Sequence, residues 1–187
     1  YSKQSLDDYY LPEHPVQQEI LQCVAEAAGL RPQDIPLAID GCNVPTFALS
    51  IERMAYAYAR LAVPDDFNEV RNTACEIVKA AFSAYPFLLA GTARFTTDLL
   101  KATGSKFLAK DGAEGVYCLG IPEEGIGIAV KIADGNERAI PPVVLSILDQ
   151  LGFLTAQEKD RLSAYRRKPI YNVCRELVGE IRPAFSL

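Results

Sequence analysis

The chain has no tryptophan, a single histidine, a single methionine and no cysteine pair spaced as Cys-x-x-Cys. The scarcity of histidine and the spacing of the cysteines remove classes of function. One histidine, His14, cannot build a histidine-rich metal centre or a Ser-His-Asp triad alone. Its place before Pro15 suits a local capping role instead. The five cysteines, Cys23, Cys42, Cys75, Cys118 and Cys174, are odd in number and widely spaced, which does not suggest a disulfide framework. Cys23, Cys75 and Cys118 lie in apolar stretches and read as small buried hydrophobes in a reducing compartment. Positive charge is short too, 19 Lys and Arg against 24 Asp and Glu, a net of −5. No basic field is therefore present to hold nucleic acid. The one basic cluster, "YRRKP" at 165–169, reads as a solvated surface patch. No apolar run approaches a bilayer span and no signal peptide opens the chain, so a cytoplasmic protein with no membrane partner is expected. The first residue is Tyr1 rather than Met, and the true start is expected to lie upstream.

What is present is enough for a core. Apolar residues make up 49% of the 187 and charged residues 23%, values that favour one domain over residues 1–187. Residues 1–13 are polar and irregular and read as a surface connection. Pro15 suits the first position of a helix that Gly29 ends, with Ile20, Leu21, Val24 and Ala28 as its apolar stripe. Leu37–Ile39 reads as a strand leading into Asp40. Ile51, Met54, Ala55, Tyr58 and Ala62 repeat at helical spacing, as do Phe67, Val70, Ala74, Ile77, Val78 and Ala81. Asp65 or Asp66 is the expected cap of the second of these helices, and Pro86 helps to end it. "TTDLLKAT" reads as a short helix opened by Thr96 or Thr97 and closed before Gly104. The period then changes to two: "KFLAK", "GVYCLGI" and "GIGIAVKI" are strand-like, and "IPEEGIG" joins the last two as a hairpin. A helix from about Pro142 follows, then "TAQEKDRLSAY" with a Thr155/Glu158 capping box, and "ELVGEIRPAF" as a closing strand. This order predicts an α+β fold, an antiparallel sheet with helices packed on it.

Two stretches could carry chemistry. In "AIDGCNVPTF", Asp40 and Cys42 would face the same side of an extended segment, with Gly41 permitting close approach. The readings open at this point are a metal-ligating thiolate, a nucleophile, a carboxylate orienting an amine, or a turn in which Asp40 bonds backbone and Cys42 packs. In "AKDGAEGVYCLGI", Lys110 precedes glycines whose backbone N–H groups a substrate or oxyanion could approach. Lys110 could hold a carboxylate or move a proton, or the segment is a glycine-rich hairpin with a solvated lysine. Arg94 in "GTARFTTD" could grip a carboxylate bidentately or serve as an ordinary surface arginine. No phosphate loop is present.

Taken in order, "EHPVQQEIL", "IDGCNVPTFALSIERMAYAYARLA", "AGTARFTTDLL", "AKDGAEGVYCLGI" and "GIGIAVKIADGNERA" resemble the rhizobial-type L-asparaginases, the asparaginase II family, over essentially the whole chain. The resemblance implies a serine β-lactamase-like fold shared with serine-dependent glutaminases, and hydrolysis of asparagine to aspartate and ammonia. It implies that Lys110, with Asp111 and Gly112, matches the Lys-Thr-Gly strand motif. Gly112, Ala113 and Glu114 would then bind substrate, Ala113 through its N–H as oxyanion donor. Cys42 would be a zinc ligand, and Asp40, a carboxylate beside the metal, would join Lys110 as a catalytic residue. A homodimer acting on a small-molecule substrate is expected.

The sequence also departs from that pattern. Ser-x-x-Lys, the family's nucleophile motif, and Cys-Ser-Gly-Lys-His, which carries its other zinc ligands, do not occur. In the family both precede the "HPVQ" helix, so the chain is expected to be the C-terminal portion of an asparaginase, inactive alone. Asn43 replaces the usual glycine after Asp-Gly-Cys, a smaller departure, because Asn tolerates left-handed backbone. A glutaminase-like hydrolase and a non-catalytic module of the same fold are the alternatives.

Overall fold

Helix α1 (Pro15–Ala28) begins at Pro15, and His14 caps it, its Nδ1 accepting from the Val16 N–H at 3.2 Å. Gly29 ends it in left-handed backbone, φ 63°, its N–H turned back to the carbonyls of the last turn. These ends are where the sequence places them. A computed structural model describes residues 3–187. Tyr1 and Ser2, part of the irregular connection expected over residues 1–13, lie outside the described residues.

The centre is a three-stranded antiparallel sheet of β3 (Leu108–Gly112), β4 (Val116–Ile121) and β5 (Ile126–Lys131), in that spatial order. Helix α2 (Ile51–Ala62), capped by the Ser50 hydroxyl, covers one face. Two glycines paired across the sheet, Gly120 and Gly127, make this approach so close. A Cβ built on Gly120 would stand 2.6 Å from the Tyr58 carbonyl oxygen, and one on Gly127 would strike the Ala55 carbonyl. Helices α5 (Phe95–Thr103) and α6 (Ile140–Gln150) cover the other face. There Leu99, Leu100, Tyr117, Leu119, Val144 and Leu148 form the floor of the main core and are fully buried. Each such aliphatic side chain contributes about 1.5–3 kcal/mol through burial. The architecture is α+β with small antiparallel sheets, as expected.

Helix α1 rests on the outside of α2. Arg53 and Arg60 of α2 donate to the Ala28 and Glu26 carbonyls in the last turn of α1, and the Glu26 carbonyl also accepts from the Gly29 N–H. The small hairpin β1 (Leu37–Ile39) and β2 (Pro45–Phe47) packs beside α1 through Phe47, which joins Leu21, Ala25 and Ile35 in a second, smaller core. Among the described residues no helix is long and apolar enough to cross a membrane.

Several expectations need correction. Helix α3 (Glu69–Ala84) is capped by Asn68, not by Asp65 or Asp66, which lie in a 3-10 turn one step earlier. Its expected apolar stripe is largely uncovered: Val70 is 81% and Ile77 65% exposed, while Phe67 and Cys75 turn inward. The period identifies an amphipathic helix but not which neighbour covers it. Pro86 ends α3 and at once opens a further short helix, α4 (Pro86–Ala90). Helix α5 starts at Phe95, and neither Thr96 nor Thr97 caps it. Both are buried, with the Thr97 hydroxyl turned back to the Gly91 carbonyl at 2.7 Å. Cys23 is only half-buried and accepts from Arg71 at 2.8 Å, so it is not a plain buried hydrophobe. Helix α6 begins at Ile140, two residues before Pro142, because Pro141 and Pro142 both fit the first turn, where no N–H is needed. The Thr155/Glu158 capping box is present, but the helix it opens breaks at Leu162 into α7 (Ala156–Arg161) and α8 (Ser163–Arg166). The closing strand, β7 (Leu177–Ile181), pairs with β6 (Lys168–Tyr171) in a separate hairpin. The basic patch at 165–169 thus runs into a strand, with Arg166 tied to Asp149 and Arg167 to Glu180.

Candidate functional site

Side chains alternate across β3. Leu108 and Lys110 stand opposite Gly120 and Cys118, on the face that α2 covers, whereas Asp111 stands opposite Tyr117, on the α5–α6 face. Lys110 nevertheless reaches back along its own strand. Its Nζ donates to the Asp111 carbonyl oxygen at 2.6 Å and approaches Asp111 Oδ1 at 3.4 Å. The lysine is half-exposed at this end of the strand.

Asp111 collects donors from three directions. The Thr96 hydroxyl reaches Oδ1 at 3.0 Å, Arg94 Nη2 reaches Oδ2 at 3.1 Å, and Lys110 adds its ammonium. Burial alone would push this carboxyl up. Its own backbone N–H, Lys110, Thr96 and Arg94 outweigh burial and hold it below the ordinary carboxylate range. Thr96 also shares a hydrogen bond of 3.2 Å with the Tyr117 hydroxyl, whose phenol is pushed upward by burial. Arg94 Nη2 bonds Glu137 as well, at 3.2 Å. Arg94 therefore binds carboxylates, but not bidentately as one of its two readings had it: Nη2 alone is shared between two carboxylates of the protein. A cavity of about 420 Å³ opens beside this cluster, with Arg94, Asp111, Glu137, Arg138 and Lys168 at its polar side and Tyr165 among its apolar walls.

Gly112, Ala113 and Glu114 follow directly, ending β3 and entering its turn. Glu114 (φ 59°) and Gly115 (φ 69°) are both left-handed. A Cβ on Gly115 would lie 2.9 Å from the Ile132 Cβ, so glycine is required there. Lys131 ties the turn down by donating to the Glu114 and Ile132 carbonyls. Ala113 and Glu114 are exposed beside Lys110, so the structure brings Lys110, Gly112, Ala113 and Glu114 together on one strand and turn. Cys118, the cross-strand neighbour of Lys110, is buried, which pushes its thiol up to about 11 and leaves it protonated and inert.

Asp40 and Cys42 sit elsewhere, on the exposed tip of the β1–β2 hairpin. The segment is a turn, not the extended stretch expected: Asn43 N donates to the Asp40 carbonyl at 2.8 Å, and Asn43 is left-handed at φ 75°. Asp40 Oδ1 accepts from the Gly41 N–H at 2.7 Å, as in the turn reading. Cys42 does not pack, contrary to that reading. Its Sγ points out, 3.6 Å from Asp40 Oδ2. That span suits two adjacent ligands of one tetrahedral zinc, with bonds of about 2.3 Å to sulfur and about 2.0 Å to oxygen. Among the described residues no third His, Cys, Asp or Glu joins them. The pair fits as part of a zinc site and needs further ligands from elsewhere. Among the described residues no hydrogen bond or ion pair links this tip to Lys110. Val63 lies over Gly125, and Ala55 and Ala59 over Gly127, so α2 runs antiparallel to β5. Its first turn, which β2 leads into, therefore lies toward the sheet end that carries Ala129, Cys118 and Lys110.

Thr96, Tyr117 and Glu137 are the members of this site that sequence reading did not single out. The Lys-Asp-Gly triplet and the nearby Arg94 were its only local signals. A family model described as L-asparaginase II matches residues 1–183. Comparison with curated proteins finds no match.

Proposed function

The chain belongs to the L-asparaginase II family, and from that premise we propose that it serves hydrolysis of the side-chain amide of L-asparagine. In that reaction the oxygen of water adds to the amide carbon and the C–N bond breaks. Nitrogen leaves as ammonia and L-aspartate remains. The observation that carries the reading is a family match spanning nearly the whole chain, together with the half-exposed Lys110 and the exposed turn at Ala113 and Glu114 at one end of the sheet.

Lys110 is the group assigned to the reacting end. Two of its contacts go to Asp111, and its exposed side leaves donor capacity for the substrate carboxylate or for a proton passed to the departing nitrogen. Gly112, Ala113 and Glu114 line its side of the turn, with the Ala113 N–H as the oxyanion donor of this reading. Asp40 and Cys42 would hold zinc, which when bound supplies a positive charge that polarises or orients the substrate. The 187 residues contain no Ser-x-x-Lys. In this reading the attacking hydroxyl and the other zinc ligands come from a segment beyond them.

The test is ammonia release by the full-length gene product, assayed with L-asparagine and L-glutamine side by side. Release from asparagine in preference to glutamine supports the proposal. Equal or greater release from glutamine makes it a glutaminase-like hydrolase, and no release from either makes it a non-catalytic member of the family.

A further inference from the structure

We propose that Thr96 is a positioning residue for Lys110, acting through Asp111, an inference that rests on the role given to Lys110 above. The starting point is chemical direction. An ionised carboxylate only accepts hydrogen bonds, so the Thr96 hydroxyl must donate to Asp111 Oδ1. Having spent its one proton there, Thr96 can only accept from Tyr117, whose hydroxyl therefore donates to it. The chain runs one way: Tyr117 O–H to Thr96, Thr96 O–H to Asp111, and Lys110 ammonium to the same carboxylate oxygen.

The two anchors of Asp111 are unequal. Arg94 holds Oδ2 but is 44% exposed and divided between Asp111 and Glu137. Thr96 is 2% exposed, on a helix whose Leu99 and Leu100 are sunk in the core, and Tyr117 beneath it is 1% exposed and packed 5.6 Å from the Phe95 ring. Of these two side chains Thr96 holds the carboxylate from the buried side, and the Asp111 backbone N–H adds to its grip. Oδ1 is also the oxygen nearer the lysine, so the rotation of that carboxylate sets where the Lys110 ammonium finds its counter-charge. The ionisable groups around the pair are Arg94 ahead of α5, Glu137 ahead of α6, Tyr117 and Cys118 of β4, and Tyr58 of α2.

Thr96→Val keeps the side-chain shape and removes the donor. Thr96→Ser keeps the donor. The direct readout is the placement of the Lys110 ammonium in the full-length protein, followed as the NMR resonance of lysines labelled at Cε and assigned with Lys110→Arg. Thr96→Val should move the Lys110 Cε resonance from its wild-type position, because a loosened carboxylate no longer fixes the ammonium beside it, and Thr96→Ser should restore it. In an Asp111→Asn background, Thr96→Val should move the Lys110 resonance no further. If the Lys110 resonance is the same in wild type and Thr96→Val, or if the valine effect persists undiminished in the Asp111→Asn background, the proposal is overturned. This measurement needs no turnover, so a protein that leaves asparagine intact would sink the functional reading while still deciding this one. Where asparagine is hydrolysed, kcat/KM should fall in Thr96→Val and return in Thr96→Ser, and a rate that valine leaves unchanged counts against the role.

Discussion

Gly120 of β4 lies so close beneath Tyr58 of α2 that a Cβ added to it would stand 2.6 Å from the Tyr58 carbonyl oxygen and 3.0 Å from the Ala62 Cβ. Both obstacles belong to a helix that cannot yield locally, since the clashing atoms are backbone and a first side-chain carbon. With Gly127 opposite it in the neighbouring strand, Gly120 sets the distance between helix and sheet, and thereby the depth at which Lys110 leaves the same face.

Gly120→Ala should therefore force α2 away from the sheet and destabilise the protein by about 1–3 kcal/mol, the usual cost of overpacking. The backbone is not left-handed there, so the effect is steric, unlike that at Gly115. Chemical denaturation checks this. A Gly120→Ala protein as stable as wild type would show that α2 can slide freely over the sheet.

Glu158 joins two parts of the chain that lie far apart in sequence. Both its oxygens take the Lys106 ammonium at 2.8 Å, and Oε2 also accepts from the Thr155 N–H at 2.7 Å. Burial pushes its carboxyl up, but Lys106 and Thr155 together hold it below the usual range. A folded-state value below the unfolded one means that this stability is present above the unfolded pKa, near 4.3, and is lost as pH falls through the folded value. Glu158→Gln should cost about 1 kcal/mol at pH 7, and the gap from wild type should narrow as pH falls below the usual carboxylate range. Urea titrations at pH 7 and at the most acid pH the fold survives measure it. A gap of equal size at both would assign the effect to shape rather than charge.

The parts of the fold that were legible in the sequence are those written within a few residues. Pro15 and Gly29 bracket α1, the change of period from 3.6 to 2 marks the strands β3 to β5, and Thr155 with Glu158 spells its capping box. What was not legible depends on meetings across the chain. Asp111 meets Thr96 from 15 residues away, and Arg94 meets Glu137 from 43, and no periodicity reports such encounters. Thr96 and Thr97 look like helix caps because their hydroxyls suit the role. The preceding turn, with Gly91 at φ 99° and Ala93 at φ 55°, starts the helix early and carries both inward. The strand β6 was hidden by Arg166, Arg167 and Lys168, whose charges read as open surface. Asn43 was legible as left-handed, and a turn was one of several readings of its segment, but that reading had Cys42 packed rather than pointing outward.

Cys42→Ser should lower the zinc that co-purifies with the full-length protein, read as metal per chain by elemental analysis. Serine is a far poorer zinc ligand than a thiolate, and Asp40 would remain as the only donor on the hairpin tip. Because a thiol must lose its proton to bind the metal, retention in the wild type should also weaken toward acid pH. Unchanged stoichiometry in Cys42→Ser would remove zinc from the account of this turn.

Lys110→Met removes the ammonium while keeping most of the stem that packs along β3. If Lys110 holds the substrate carboxylate or moves a proton, kcat/KM for asparagine should fall by at least about 10²-fold. Stability should change little, since the lysine is 39% exposed and its strongest contact is to a backbone carbonyl one residue away. The way the loss divides identifies the role. A rise in KM with kcat kept points to carboxylate binding, and a fall in kcat with KM kept points to proton transfer. Arginine separates them again, because Lys110→Arg keeps a cation for the carboxylate but cannot give up its proton at working pH. Full activity in Lys110→Met would exclude both roles and leave the Lys-Asp-Gly strand as scaffold alone.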